Sequence, residues 1–166
     1  MRTGSELEPD EIAFNQRINA VYLGKEERRF EDVIRDYRQI EEEFVERLRG
    51  DENKITETKR RVTEWILSHA FHDDQAQEVC RGIWEELLQR GFSNDQQKHD
   101  LTGIYARCCQ QNGEFDEGVA VLEPLIADLA QQLRETTMST NMRSYCEDTL
   151  ATLREIRNEL KAGVRE

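Results

Sequence analysis

CCQQNGEFDEGVAVLEPL, residues 108–125, carries a helical apolar rhythm that stops at Asn112 and Gly113 and then resumes. Either one helix is interrupted here, or two helices meet at a corner. Gly113 favours the corner, because glycine readily takes the left-handed backbone that ends a helix, and Phe115 is placed to cover it. Pro124 falls about three turns into the second run, where it removes one helical hydrogen bond and bends the axis.

Recurrence at a fixed interval separates a repeat from a loop. Val33, Ala76 and Gly118 lie 43 and 42 residues apart. With these aligned, Tyr37, Cys80 and Leu122 fall in one column, Ile40, Ile83 and Leu125 in a second, and Phe44, Leu87 and Leu129 in a third. The preceding helices keep the same register: Ile18, Val62, Ile104 and Cys146 align, as do Tyr22, Ile66, Cys108 and Leu150, at intervals of 44, 42 and 42. Two independent helices therefore share one period. Breakers fall where hairpins need them, at GDEN after Arg49, HDD after Phe71, RGFSND from Arg90 and ETTMST from Glu135. The spacing predicts hairpins over 11–49, 54–90 and 95–134, with first helices near 11–28, 54–70 and 95–111. A lone helix over 141–161 then covers the last apolar face, and 1–10 form a flexible N-terminus. Small residues at 76 and 118 let paired helices approach closely.

GEFDEGVAVLEPLI, from Gly113, resembles the corner of the tetratricopeptide repeat superfamily: glycine, an aromatic, acidic residues, a small residue, then an apolar helix. RRFEDVIRDYRQI, from Arg28, resembles it more weakly. The interval of 42 to 44 is longer than the family's usual repeat of about 34 and is similar in length to the repeats of kinesin light chains. The resemblance covers residues 11–161 and carries over architecture only. It implies a short right-handed α-solenoid of antiparallel hairpins, about seven helices in all, with a concave surface lined by the first helix of each hairpin.

Composition agrees with an all-α chain of one domain. Its 166 residues include only two prolines, and no segment alternates in the manner of a strand. Charged residues make up 35%, and the mean hydropathy of -0.83 suits an elongated molecule with much surface. The net charge of -12 disfavours nucleic acid, which is held by Lys and Arg at its phosphates. No run of about 18 apolar residues is present, so neither a membrane span nor a signal peptide is expected. Cys80, Cys108, Cys109 and Cys146 sit within helical patterns without metal-ligand spacing. They read as reduced, packed thiols in a cytoplasmic protein.

On the groove that the resemblance implies, one stripe reads Arg61, Trp65 and His69 in the second repeat and Gly103, Arg107 and Gln111 in the third. Arg17 and Val21 correspond in the first repeat, Tyr145 and Thr149 in the last. Arg17, Arg61, Trp65, His69, Arg107 and Gln111 are the candidate peptide-binding residues. Guanidinium groups pair with carboxylates in bidentate fashion and an aromatic supplies an anchor, which points to a protein or peptide partner with acidic segments. Trp65 at this spacing also reads as core. The cluster His69, His72, Asp73 and Asp74 has metal-ligand chemistry, and a metal-dependent hydrolase built on His69, His72 and Asp73 is the remote alternative. The Asp residues are well explained as helix-start residues, and His99 reads as isolated and exposed. No phosphate loop, nucleophile elbow or carboxylate pair marks a catalytic role, so the expected function is a non-enzymatic scaffold or adaptor without a cofactor. A structural or regulatory subunit that binds through its end or convex face is the alternative.

Overall fold

A computed structural model of the chain describes residues 9–24, 29–70 and 77–163. Among the described residues there are seven α-helices and no strand: α1 (Pro9–Leu23), α2 (Phe30–Arg47), α3 (Glu52–Ala70), α4 (Gln77–Arg90), α5 (Asp95–Gln111), α6 (Phe115–Glu135) and α7 (Thr140–Lys161). These follow the expected hairpins closely. The differences are at α1. It begins at Pro9, within the stretch 1–10 expected to be a flexible N-terminus, of which residues 1–8 lie outside the described residues. It ends at Leu23 rather than near residue 28.

Each helix packs against the next, and α5 also packs against α3 and α7. The substantial contacts among the described residues all join helices one or two places apart. A closed bundle would bring the first helix against the last; this arrangement instead lays helix pairs side by side, as a helical repeat does.

The repeat columns explain the packing. Tyr37, Cys80 and Leu122 are buried, as are Ile40, Ile83, Leu125, Phe44, Leu87 and Leu129. Together they form the inward stripe of α2, α4 and α6, set by apolar residues three and four apart. Two apolar cores result. One joins α1 through α5, with the edge-on Phe14–Phe44 pair at 5.3 Å near its start. The other joins α6 and α7 and reaches α5 at Ala106.

The corner at residues 111–115 is built as its sequence suggests. Gly113 has φ 73°, its N–H donates to Gln110 O at 3.2 Å, and Glu114 N–H donates to Cys109 O at 2.9 Å. These are the two bonds that close a helix ending in a left-handed glycine. Phe115 packs half-buried on the second core. At Gly118 the two helices of this hairpin and α7 converge: an added Cβ would stand 2.9 Å from Leu160 Cδ1 and 3.2 Å from Cys109 Cβ. Ala76, the corresponding small residue, lies outside the described residues. α6 continues through Pro124, which faces solvent.

All four cysteines are buried as free thiols, with Cys80 Sγ 3.8 Å from Cys108 Sγ. Burial pushes the Cys109 thiol up to about 12, so it stays protonated and acts as a small packing group. Among the described residues no helix is long and apolar enough to cross a membrane.

Candidate functional site

The odd-numbered helices share one face, and two hollows open along it. The first, of about 610 Å3, lies where α1, α3 and the start of α5 meet, and it contains Arg61 and Trp65. Trp65 is half-buried and meets the ring of Tyr22 edge-on at 5.5 Å. Arg61 bridges to α1, donating from Nη2 to Asn15 Oδ1 at 2.7 Å, with its guanidinium 4.7 Å over the Phe14 ring. Glu64, at the edge of the same hollow, is buried and accepts hydrogen bonds from Ser93 N–H at 3.1 Å and from the Ser93 hydroxyl. It thereby fixes the α4–α5 connection.

The second hollow, of about 570 Å3, runs between α5 and α7 and is bordered by Arg107. Gly103, Ile104, Leu153 and Ile156 form an apolar floor, with Asp100 on the α5 side and Asp148 on the α7 side. In the repeat register Gly103 occupies the column filled by Arg17, Arg61 and Tyr145. The hollow opens where that column has no side chain. A Cβ at Gly103 would stand 3.6 Å from Leu153 Cδ2, an ordinary contact, so the space is not closed by backbone approach.

The six candidate residues are thus divided. Arg61 and Trp65 come together, and Arg107 borders the neighbouring hollow. Arg107 donates to Gln110 Oε1 at 2.7 Å and pairs with the Glu159 carboxylate, whose pKa is held below the usual range by the hydrogen bonds from Arg107 and Gln110. Arg17 pairs with Glu43, which draws it toward α2. Gln111 sits half-buried at the C-terminal end of α5. His69 is only 4% exposed and stacks on Tyr37, its Nε2 2.5 Å from the Tyr37 hydroxyl. Burial, with the neighbouring Tyr22, pushes that hydroxyl far above the usual tyrosine range. His69 therefore belongs to the packing between α2 and α3. His72, Asp73 and Asp74 lie outside the described residues, and among the described residues no three His, Cys, Asp or Glu side chains are grouped to hold a metal.

His99 corrects the sequence reading. It is 6% exposed, not free in solvent, because α7 folds over it and Tyr145 Oη lies 3.3 Å from its Nδ1. Burial lowers its pKa below the ordinary 6.5, so it is neutral in the folded chain at neutral pH. On acidification the unfolded chain takes up this proton first, and stability therefore falls as the pH drops below about 6.5. Urea midpoints at about pH 7.5 and about pH 5.5 check this: His99→Gln should lose less stability between them than the wild type. An equal loss in both would remove His99 as a cause.

Asp100, Asp148 and the Gly103 hollow were not singled out as a site by the sequence reading. The gap in the Arg17–Arg61 column was the available signal. No protein-family model, curated protein or solved structure matches this chain.

Proposed function

We propose that this chain is a non-enzymatic scaffold or adaptor module that binds a protein or peptide segment along the face of its odd-numbered helices. The observation that carries the reading is the solvent-open hollow between α5 and α7, whose apolar floor is flanked by polar groups. A groove of this kind between rigid helices is preformed, so an extended or helical segment binds without ordering the receptor. The adjacent Tyr22–Trp65 pair offers a second anchor on the same face. The fixed repeat interval and the resemblance of residues 113–126 to a tetratricopeptide corner support the same reading. Four buried free thiols suit a reducing cytoplasm.

A displayed library of random peptides, panned against the purified chain, tests it. Gly103→Phe places a ring on the floor of the hollow, and the enriched peptides should bind this folded variant at least about tenfold more weakly. Enrichment of no peptide family, or families indifferent to Gly103→Phe, would overturn the reading.

A second reading, a regulatory or structural subunit, is favoured by the opposite face. There a hollow of about 400 Å3 lies between α4 and α6 over Trp84 and Leu125, with Leu88 at its edge 59% exposed. Partner binding lost by Leu88→Asp and kept by Gly103→Phe would select it.

A further inference from the structure

We infer that the hollow between α5 and α7 receives a basic segment of a partner protein, seating one apolar side chain on the Ile104–Leu153–Ile156 floor and flanking Lys or Arg side chains against Asp100 and Asp148. This rests on the reading above that the odd-helix face binds protein, and it reverses the charge expected of the partner.

The arginines that favour an acidic ligand are engaged within the chain. Arg107, the only Lys or Arg side chain bordering this hollow among the described residues, is held by Glu159 and Gln110. Arg61 is bonded to Asn15 and Arg17 to Glu43. At Arg107 an incoming carboxylate or phosphate would have to displace Glu159 and Gln110 while sharing the hollow with two aspartates.

The aspartates present the opposite case. Among the described residues, neither the Asp100 nor the Asp148 carboxylate accepts a hydrogen bond or forms an ion pair. Both carboxylates stand exposed at the rim, and desolvation by the protein beside Asp100 holds its carboxyl above the usual range despite the neighbouring His99. A cation brought beside it relieves that cost. His99, the remaining titratable group at the rim, is uncharged at neutral pH, so the local charge is set by the two aspartates once Arg107 is balanced by Glu159.

The floor explains why a peptide cation fits better than a hydrated ion. Lys and Arg lay their aliphatic stems along apolar walls while the charged head reaches outward, and here the walls lead to a carboxylate on each side. The net charge of -12 draws such a segment in from a distance.

The test uses a labelled Gly/Ser peptide carrying lysines on both sides of one central leucine, with copies in which glutamate or glutamine replaces lysine. Fluorescence anisotropy is read at low and raised salt on the full chain, and circular dichroism shows that each variant is folded. The lysine peptide should bind, more weakly as salt rises, and both copies should bind at least about tenfold more weakly. Asp100→Asn with Asp148→Asn should weaken the lysine peptide about tenfold, and Gly103→Phe should abolish binding. Glu31→Gln with Glu42→Gln, which removes the same charge from the exposed surface of α2, should leave it unchanged.

Failure of the lysine peptide to bind overturns the inference. So does equal weakening by the α2 pair, because binding is then general attraction to an acidic surface. If panned peptides respond to Gly103→Phe yet carry no excess of Lys or Arg, the basic partner falls and the binding-module reading stands. If no peptide of any charge responds to Gly103→Phe, both fall together.

Discussion

Gly118→Val is expected to destabilise the chain by about 3 kcal/mol, at the upper end of the usual cost of forcing extra methyl groups into a packed interior. The first added carbon already meets Leu160 at 2.9 Å and Cys109 at 3.2 Å, and the two further methyls of valine have nowhere to go unless α7 moves. Leu160→Ala alone should also destabilise, by about 2–5 kcal/mol, because it empties a fully buried site. The double variant should cost less than the sum, by about 0.5–3 kcal/mol, since the valine then fills space that Leu160 vacates. Chemical denaturation followed by circular dichroism measures all three. Strict additivity would show that α6 and α7 do not meet at this point. Gly82 supplies the control: nothing lies within 4 Å of a Cβ added there, so Gly82→Ala should stabilise α4 by about 0.5–1 kcal/mol.

Trp84→Ala carries the second large effect, a loss of about 3–5 kcal/mol. Trp84 is buried on α4, its ring lies parallel to Tyr105 of α5 at 4.7 Å, and Phe92 from the connection packs on it at 5.8 Å. This aromatic group joins the second hairpin to the third. Trp84→Phe keeps an aromatic face for Tyr105 and should cost less than half as much as alanine. Equal losses for Phe and Ala would show that a smaller ring at position 84 recovers neither the volume nor the stacking that joins the two hairpins. Urea midpoints of the two variants decide the matter.

The repeat was legible because two simple rules act together. Apolar side chains spaced by three and four fix which face of a helix turns inward, and a glycine such as Gly113 fixes where it stops. Hence the columns through Tyr37, Ile40 and Phe44 are buried in every repeat. The column through Ile66, Cys108 and Leu150 fails at Tyr22, which is 40% exposed near the end of α1 and meets Trp65 edge-on at the rim of the first hollow. Periodicity sets which column Tyr22 falls in, not how far its neighbours cover it.

The site was less legible, for a different reason. Arg17, Arg61 and Arg107 lie on the expected helices, but their partners Glu43, Asn15 and Glu159 come from other helices, 26, 46 and 52 residues away. In a chain with 35 acidic residues, many such pairings are compatible with the sequence. Only the packing selects among them. His99 reads as a surface residue because its cover, Tyr145, is supplied by α7. The hollow beside it reflects a missing side chain, and pattern reading attends to side chains that are present.

Because α5 contributes to both apolar cores, it serves as a party wall between two rooms. Peeling α7 away would open the C-terminal room alone and leave the Phe14–Phe44 room shut. A guest lodged between α5 and α7 would thus act as a latch on one compartment, tightening that end of the molecule without stiffening the other.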